Sequence, residues 1–297
     1  MKTQQAHSLG GTRFGASEAS PRRVSPVLWL NLVCLDAPLV AIMWLWMFAR
    51  NFGVRLQPGN CIALFLTAWL IYLGDRLADC SSLPVNGPRS LRQEFCRRHR
   101  EIWIVLIALV AGFDAYVISR AVSFQTLLVV GAVGAMAIVY LVVNHPLGLI
   151  WRSLPAKEFA IGILFAAGTM VALMPQVPAN PAFVLAACSF AALCSLNCVS
   201  IARWERELDR SQGKVSIATR HPGIVRYAGP VGVLLALAAF VLAIVFQTAG
   251  WILVCLGTSA LLLAWLNTTR PIDRDQRTAL ADLVLLTPLV LCLATVL

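Results

Sequence analysis

The sequence predicts an all-α, polytopic membrane protein, and three observations carry that prediction. Its residues are 59% hydrophobic and only 13% charged, with a mean hydropathy of +0.77, where a soluble domain carries about a quarter charged residues. The apolar residues gather into runs close to the roughly 20 needed for a helix to cross hydrocarbon. The 24 Lys and Arg residues fall mostly in the short connections between those runs. Positive charge placed there sets membrane orientation, so the net charge of +10 points to the bilayer and not to nucleic acid.

Taken in order, residues 1–26 are rich in Ser, Gly and Arg, with Glu18 their one acid, and are expected to form a disordered cytoplasmic tail. Residues 27–297 then form one intramembrane domain, because no polar stretch is long enough for a second fold. Nine spans are expected, over about 27–49, 60–79, 102–119, 124–143, 157–175, 181–202, 227–247, 250–266 and 279–297. Turn chemistry marks the breaks at Gln57-Pro58-Gly59-Asn60, Pro175-Gln176-Val177-Pro178 and Thr248-Ala249-Gly250. All but Arg50, Arg55 and Arg120 of the basic residues lie in the tail or in the connections after spans two, four, six and eight. The N-terminus is therefore expected in the cytoplasm and the C-terminus on the far side. With no clear transit signal, a bacterial inner membrane is the expected location. The nine cysteines show no C-x-x-C pair or His/Cys cluster and read as small core residues.

Two acidic pairs stand at the ends of spans two and six: Asp75-Arg-Leu-Ala-Asp79 and Glu205-Arg-Glu-Leu-Asp209. Residues four apart share one helix face, so each pair presents two carboxylates side by side. Like charges at that spacing destabilise a bare helix, and a cation is expected between them. A neighbouring arginine such as Arg76 can serve. A hard divalent cation such as Mg²⁺ is the stronger expectation, since it takes oxygen ligands and completes its shell with phosphate. The bland reading is that each pair ends a helix and is solvated there. Two pairs on one face favour a shared task, the holding of metal ions that hold a diphosphate.

Three segments carry a family resemblance. Asp75-Arg76-x-x-Asp79 is similar to the second half of an N-D-x-x-D-x-x-x-D motif. Glu205-x-x-x-Asp209-Arg210-x-x-Gly213-Lys214, followed by Ser216-Ile217-Ala218, is similar to D-x-x-x-D-R-x-x-G-K. Leu35-Asp36-Ala37-Pro38 is similar to L-D-[RK]-P. Together with the span count they resemble the UbiA superfamily of intramembrane prenyltransferases. That resemblance implies a nine-helix bundle and Mg²⁺-dependent transfer of a prenyl group from a polyprenyl diphosphate to a lipophilic acceptor, an aromatic quinone precursor among the candidates. It implies Asp75, Asp79, Glu205 and Asp209 as catalytic metal ligands. Ile71 and Tyr72 stand where the first motif has Asn and Asp, and Glu205 replaces a leading Asp.

Around these acids, Arg76, Arg210, Lys214 and Lys157 are the substrate-binding candidates for diphosphate, with Arg203 and Arg152 behind them. Asp36, Asn197 and Tyr72 are the polar candidates within the spans, and Asn144 and His145 are placed at the end of span four. Asp114 and Asp282 are expected to face the bundle interior without a tie to the site. Asp273 and Asp275 are expected in a solvated loop. Two other readings stay open: a terpene cyclase on the same fold, and a non-catalytic lipid-binding or transport protein.

Overall fold

The computed structural model describes residues 25–83, 87–144, 157–177, 180–269 and 272–296. The tail to residue 24, His145, Arg152 and the side chain of Asn144 lie outside the described residues. Among the described residues the protein is entirely helical. It comprises α1 (Pro26–Leu32), α2 (Asp36–Asn51), α3 (Pro58–Ser81), α4 (Leu91–Arg98), α5 (Arg100–Ala121), α6 (Phe124–Asn144), α7 (Lys157–Met170) and α8 (Pro181–Ser211). The short α9 (Ile217–Arg220) and α10 (Pro222–Val225) lead to α11 (Ala228–Val245), α12 (Gly250–Thr268), α13 (Arg274–Leu283) and α14 (Thr287–Val296).

Among the described residues, six segments are long and apolar enough to cross a membrane: α3, α5, α8, α11, α12 with its preceding turn, and the α13–α14 run. A seventh arises if α1 and α2 count together, and the chain is a multi-pass membrane protein. Side chains such as Leu109, Phe113, Leu234, Ile244 and Val290 face outward, as lipid-facing positions require. At the expected spans over 124–143 and 157–175 lie the helices α6 and α7, neither of them among those six. The second of these is only 14 residues long and gives way to turns at Val171.

The first expected span is broken. α1 and α2 meet at 92°, and the break lies at Cys34, whose φ of 57° is the only positive value among described non-glycine residues. Leu35 N donates to Leu30 O at 2.9 Å and Cys34 N to Asn31 O at 3.3 Å. These are the two bonds of a Schellman ending, with cysteine where glycine is usual. An L-residue held there costs about 1–2 kcal/mol.

Trp44, Phe48 and Phe190 centre the main core, their buried rings meeting Leu193, Leu253 and Leu256. Trp44 Nε1 donates to Leu285 O at 2.8 Å, which pins α2 to the α13–α14 junction. Two helix pairs approach closely because glycine leaves room. A Cβ on Gly162 in α7 would run into Ser195 of α8, and one on Gly232 in α11 would lie 3.0 Å from Ala264 Cβ of α12. The close packing of α7 on α8 sets one wall of the cavity described below.

Candidate functional site

Both acidic pairs come to the same end of the bundle, and the local chain explains how. α8 runs unbroken to Ser211 and closes with Gly213 at φ 68°. Lys214 N then donates to Asp209 O at 2.8 Å and Gly213 N to Arg210 O at 3.2 Å, the paired bonds of a Schellman turn. Only a residue at ease in left-handed backbone permits that reversal. It folds Lys214 back over the helix end, where Nζ meets Asp79 Oδ2 of α3 at 2.8 Å. The Gly-Lys of the second motif is thus a device that carries a cation from one acidic pair to the other.

The segment after Lys214 is fixed from below. Ser216 caps α9 through a reciprocal box with Thr219, and Ile217 N donates to Glu158 Oε1 at 2.9 Å. A carboxylate at a helix N-terminus satisfies an orphan amide and the helix dipole together. Glu158 is buried and sits beside Lys157, whose charge reaches both Asp79 and Asp209. Asp79 and Asp209 therefore share the field of the same two lysines, Lys157 and Lys214.

Glu205 has a different partner. Arg92 of α4 points Nη2 at both of its carboxylate oxygens, at 2.6 and 2.5 Å. Thr278 of α13 adds a long contact at 3.5 Å. The side chains of Arg92 and Glu205 are only 15% and 10% exposed, so this ion pair is largely out of solvent. α4 is set for the task by a capping box between Ser90 and Gln93, and Gln93 also bonds Gln212 at the end of α8. Arg76 points back toward Cys34 and lies in the field of Asp75 and Asp79. Arg210 turns away, pairing with Glu207 at 3.3 Å on the exposed face. Arg203 donates to Asn267 Oδ1 at 3.1 Å, which ties α8 to α12 apart from the acids.

Deeper in the bundle lies a polar group around Asp36. Asn31 Nδ2 donates to Asp36 Oδ2 at 2.6 Å and Ala37 N to Oδ1 at 2.9 Å. Asn197 Nδ2 donates to Asp282 Oδ1 at 2.8 Å, and Asp282 is within hydrogen-bonding reach of Asp36. Asp282 was expected to have no tie to the site; the structure joins it to Asp36 and Asn197, two of the predicted residues. Tyr72 borders the same cavity with Phe165, Cys194 and Cys198. Asp114 does face inward, accepting from Thr67 at 2.7 Å between α3 and α5. Asp275 is not in a loop: it begins α13, and its carboxylate accepts from Leu91 N at 3.4 Å.

The donor set suits a hard divalent cation. It is all oxygen, with two carboxylates one turn apart on each of two helices and no thiol or imidazole among them. Among the described residues no three acid, His or Cys side chains converge into a closed cage. An open set of one or two carboxylates is what Mg²⁺ uses when waters and substrate phosphates supply the rest.

Three residues escaped sequence reasoning. Arg92 was one basic residue among several in its connection, although Ser90-x-x-Gln93 is a visible helix-start pattern. Glu158 and Asp282 were lone acids in apolar surroundings, which is itself a signal of function. Comparison with protein-family models, curated proteins and solved structures returned no match.

Proposed function

We propose that this protein transfers a prenyl group from a polyprenyl diphosphate to a lipophilic acceptor within the membrane, as an intramembrane prenyltransferase of UbiA type with nine spans and its acids at the cytoplasmic face. One observation carries the reading. Carboxylates from α3 and α8 lie at one end of the bundle, where Lys157 and Lys214 act on Asp79 and Asp209 alike, beside an interior lined by apolar and aromatic side chains.

In this reading Asp75 and Asp79 hold Mg²⁺ on one helix, and Glu205 and Asp209 hold it on the other. Bound magnesium supplies Lewis-acid stabilisation of the charge that develops on the departing diphosphate. Lys214 and Lys157 add fixed positive charge beside it, and Arg92 and Arg76 supply guanidinium donors suited to phosphate oxygens. The ion pairs that these cations make with Glu205 and Asp79 keep both partners oriented before the substrate arrives. Beneath them, Tyr72, Phe165, Val40 and Leu285 wall the interior. Apolar and aromatic surfaces there exclude water from an allylic carbon gaining positive charge, and ring faces stabilise that charge directly.

The test is release of pyrophosphate from a prenyl diphosphate by the purified full chain in lipid nanodiscs. Release is expected with Mg²⁺ and is lost with chelator. Asp75→Ala and Asp209→Ala each abolish it. No release from donors of any chain length would refute the reading. Release without acceptor that yields a cyclic hydrocarbon would turn it toward a terpene cyclase.

A further inference from the structure

A second cavity opens at the same end of the bundle as the acids, on the other side of α8. It measures about 430 Å³ and is lined by Arg203, Asn267, Thr268, Thr269 and Arg277, a size suited to a small ligand. Arg203 precedes Glu205 by two residues of continuous helix, which sets it roughly 200° around the axis from that acid. Arg203 was expected near the diphosphate cations; the structure turns it to this cavity instead.

Two guanidinium groups are fixed here by separate means. Arg203 Nη1 donates to Asn267 Oδ1 at 3.1 Å. The buried Asn267 amide is itself held, donating to Ser200 Oγ at 2.9 Å and to Leu263 O at 3.0 Å. Arg277 Nη2 donates to Thr269 O at 2.8 Å and to Ile272 O at 3.2 Å, and its guanidinium lies 5.6 Å from the centre of the Trp204 ring. The charge of Arg277 acts on Arg203, and among the described residues no carboxylate lines the cavity. Bracing the helices needs hydrogen bonds, which neutral side chains can make; it does not call for two cations that repel each other. An anion between them turns that repulsion into attraction, and the planar guanidinium fork matches phosphate oxygens.

Trp265 sets the depth of the cavity in the bilayer. It is 58% exposed on α12, one turn inward of Thr268 and Thr269, whose hydroxyls donate to its carbonyl at 2.8 and 2.9 Å. Exposed indoles collect at the level of the lipid headgroups. Leu261 and Leu262, a further turn inward, are exposed too, and residues three and four apart share one helix face. An apolar stripe therefore leads along α12 to a basic cavity between helix ends. Basic pockets so placed lodge anionic headgroups.

We propose that Arg203 and Arg277 form a binding site for the phosphate of an anionic phospholipid, whose acyl chains lie along Trp265, Leu262 and Leu261. The site does not depend on the prenyl-transfer reading and stands or falls apart from it.

The experiment titrates the full chain in neutral detergent with phosphatidylglycerol, phosphatidylcholine or inorganic phosphate and counts bound molecules by native mass spectrometry. Phosphatidylglycerol is expected to bind first and tightest. Arg203→Gln and Arg277→Gln are each expected to weaken that binding about fivefold, the contribution of one basic side chain at a membrane surface. Arg98→Gln and Arg100→Gln remove the same charge from exposed positions elsewhere and are expected to leave it unchanged. Equal affinity for the two lipids, or an equal loss from the Arg98 and Arg100 variants, overturns the site. Inorganic phosphate that binds as tightly as phosphatidylglycerol makes it a site for a free anion and overturns the lipid assignment. A phosphatidylglycerol with a photoreactive headgroup, applied to the wild type in nanodiscs, is expected to label peptides containing Arg203 or Thr268. Labelling confined to other segments overturns the site even where neither arginine variant folds.

Discussion

Breaking the Arg92–Glu205 pair tests whether α4 is clipped to the end of α8. At 2.6 Å and an effective dielectric of about 20, the gross attraction is about 6 kcal/mol. Desolvation of both ions offsets much of that, yet removing only one partner strands the other charge away from water, at about 3–5 kcal/mol. Glu205 alone would retain only the 3.5 Å contact from Thr278. Arg92→Met and Glu205→Gln are therefore each expected to destabilise by about 3 kcal/mol, and the double variant by clearly less than their sum. The assay is reversible unfolding in mixed micelles, followed by labelling of the buried cysteines Cys80 and Cys96. A coupling energy of about 2 kcal/mol is expected; one below about 0.5 kcal/mol, the scatter of independent sites, would refute the clip.

Further outcomes follow from local geometry. Gly213→Ala places a Cβ at φ 68° and is expected to cost about 1–2 kcal/mol, together with loss of Lys214–Asp79 protection in a crosslinking assay. Gly162→Ala drives a methyl into Ser195, and a loss of about 1–3 kcal/mol in the same unfolding assay is expected from overpacking. Thr67→Val deprives Asp114 Oδ2 of its donor while Oδ1 already has none. A buried acceptor left this way costs about 1–3 kcal/mol, and Thr67→Ser should recover most of it.

How much of this was legible in the sequence depends on the range of the interaction. Periodicity and hydropathy are local, and they located α3, α5, α11 and α12 within a few residues, while α8 starts where expected and runs nine residues past 202 to Ser211. The four-residue spacing of Asp75 with Asp79 and of Glu205 with Asp209 identified a shared face, and the Gly213-Lys214 step was visible as a motif. The partners were not. Arg92 reaches Glu205 across 113 positions, and Asn197 reaches Asp282 across 85, so neither pairing leaves a local trace. The break after α1 was hidden for another reason. Its left-handed residue is Cys34, and cysteine, unlike glycine, does not advertise such a conformation. Asp275 was misplaced because its polar neighbourhood resembles a loop, whereas Asp273 and Asp275 begin a helix that goes on into an apolar run.

Because α8 is a single rod of 31 residues, it locks angular phase as well as depth. Inserting one residue between Asn197 and Glu205 would advance the acids by only about 1.5 Å yet swing them by roughly 100° around the axis. Glu205 would then face away from Arg92, and Lys214, turning with the helix end, away from Asp79. The connections between helices can lengthen at little cost, but this interval tolerates change only by substitution.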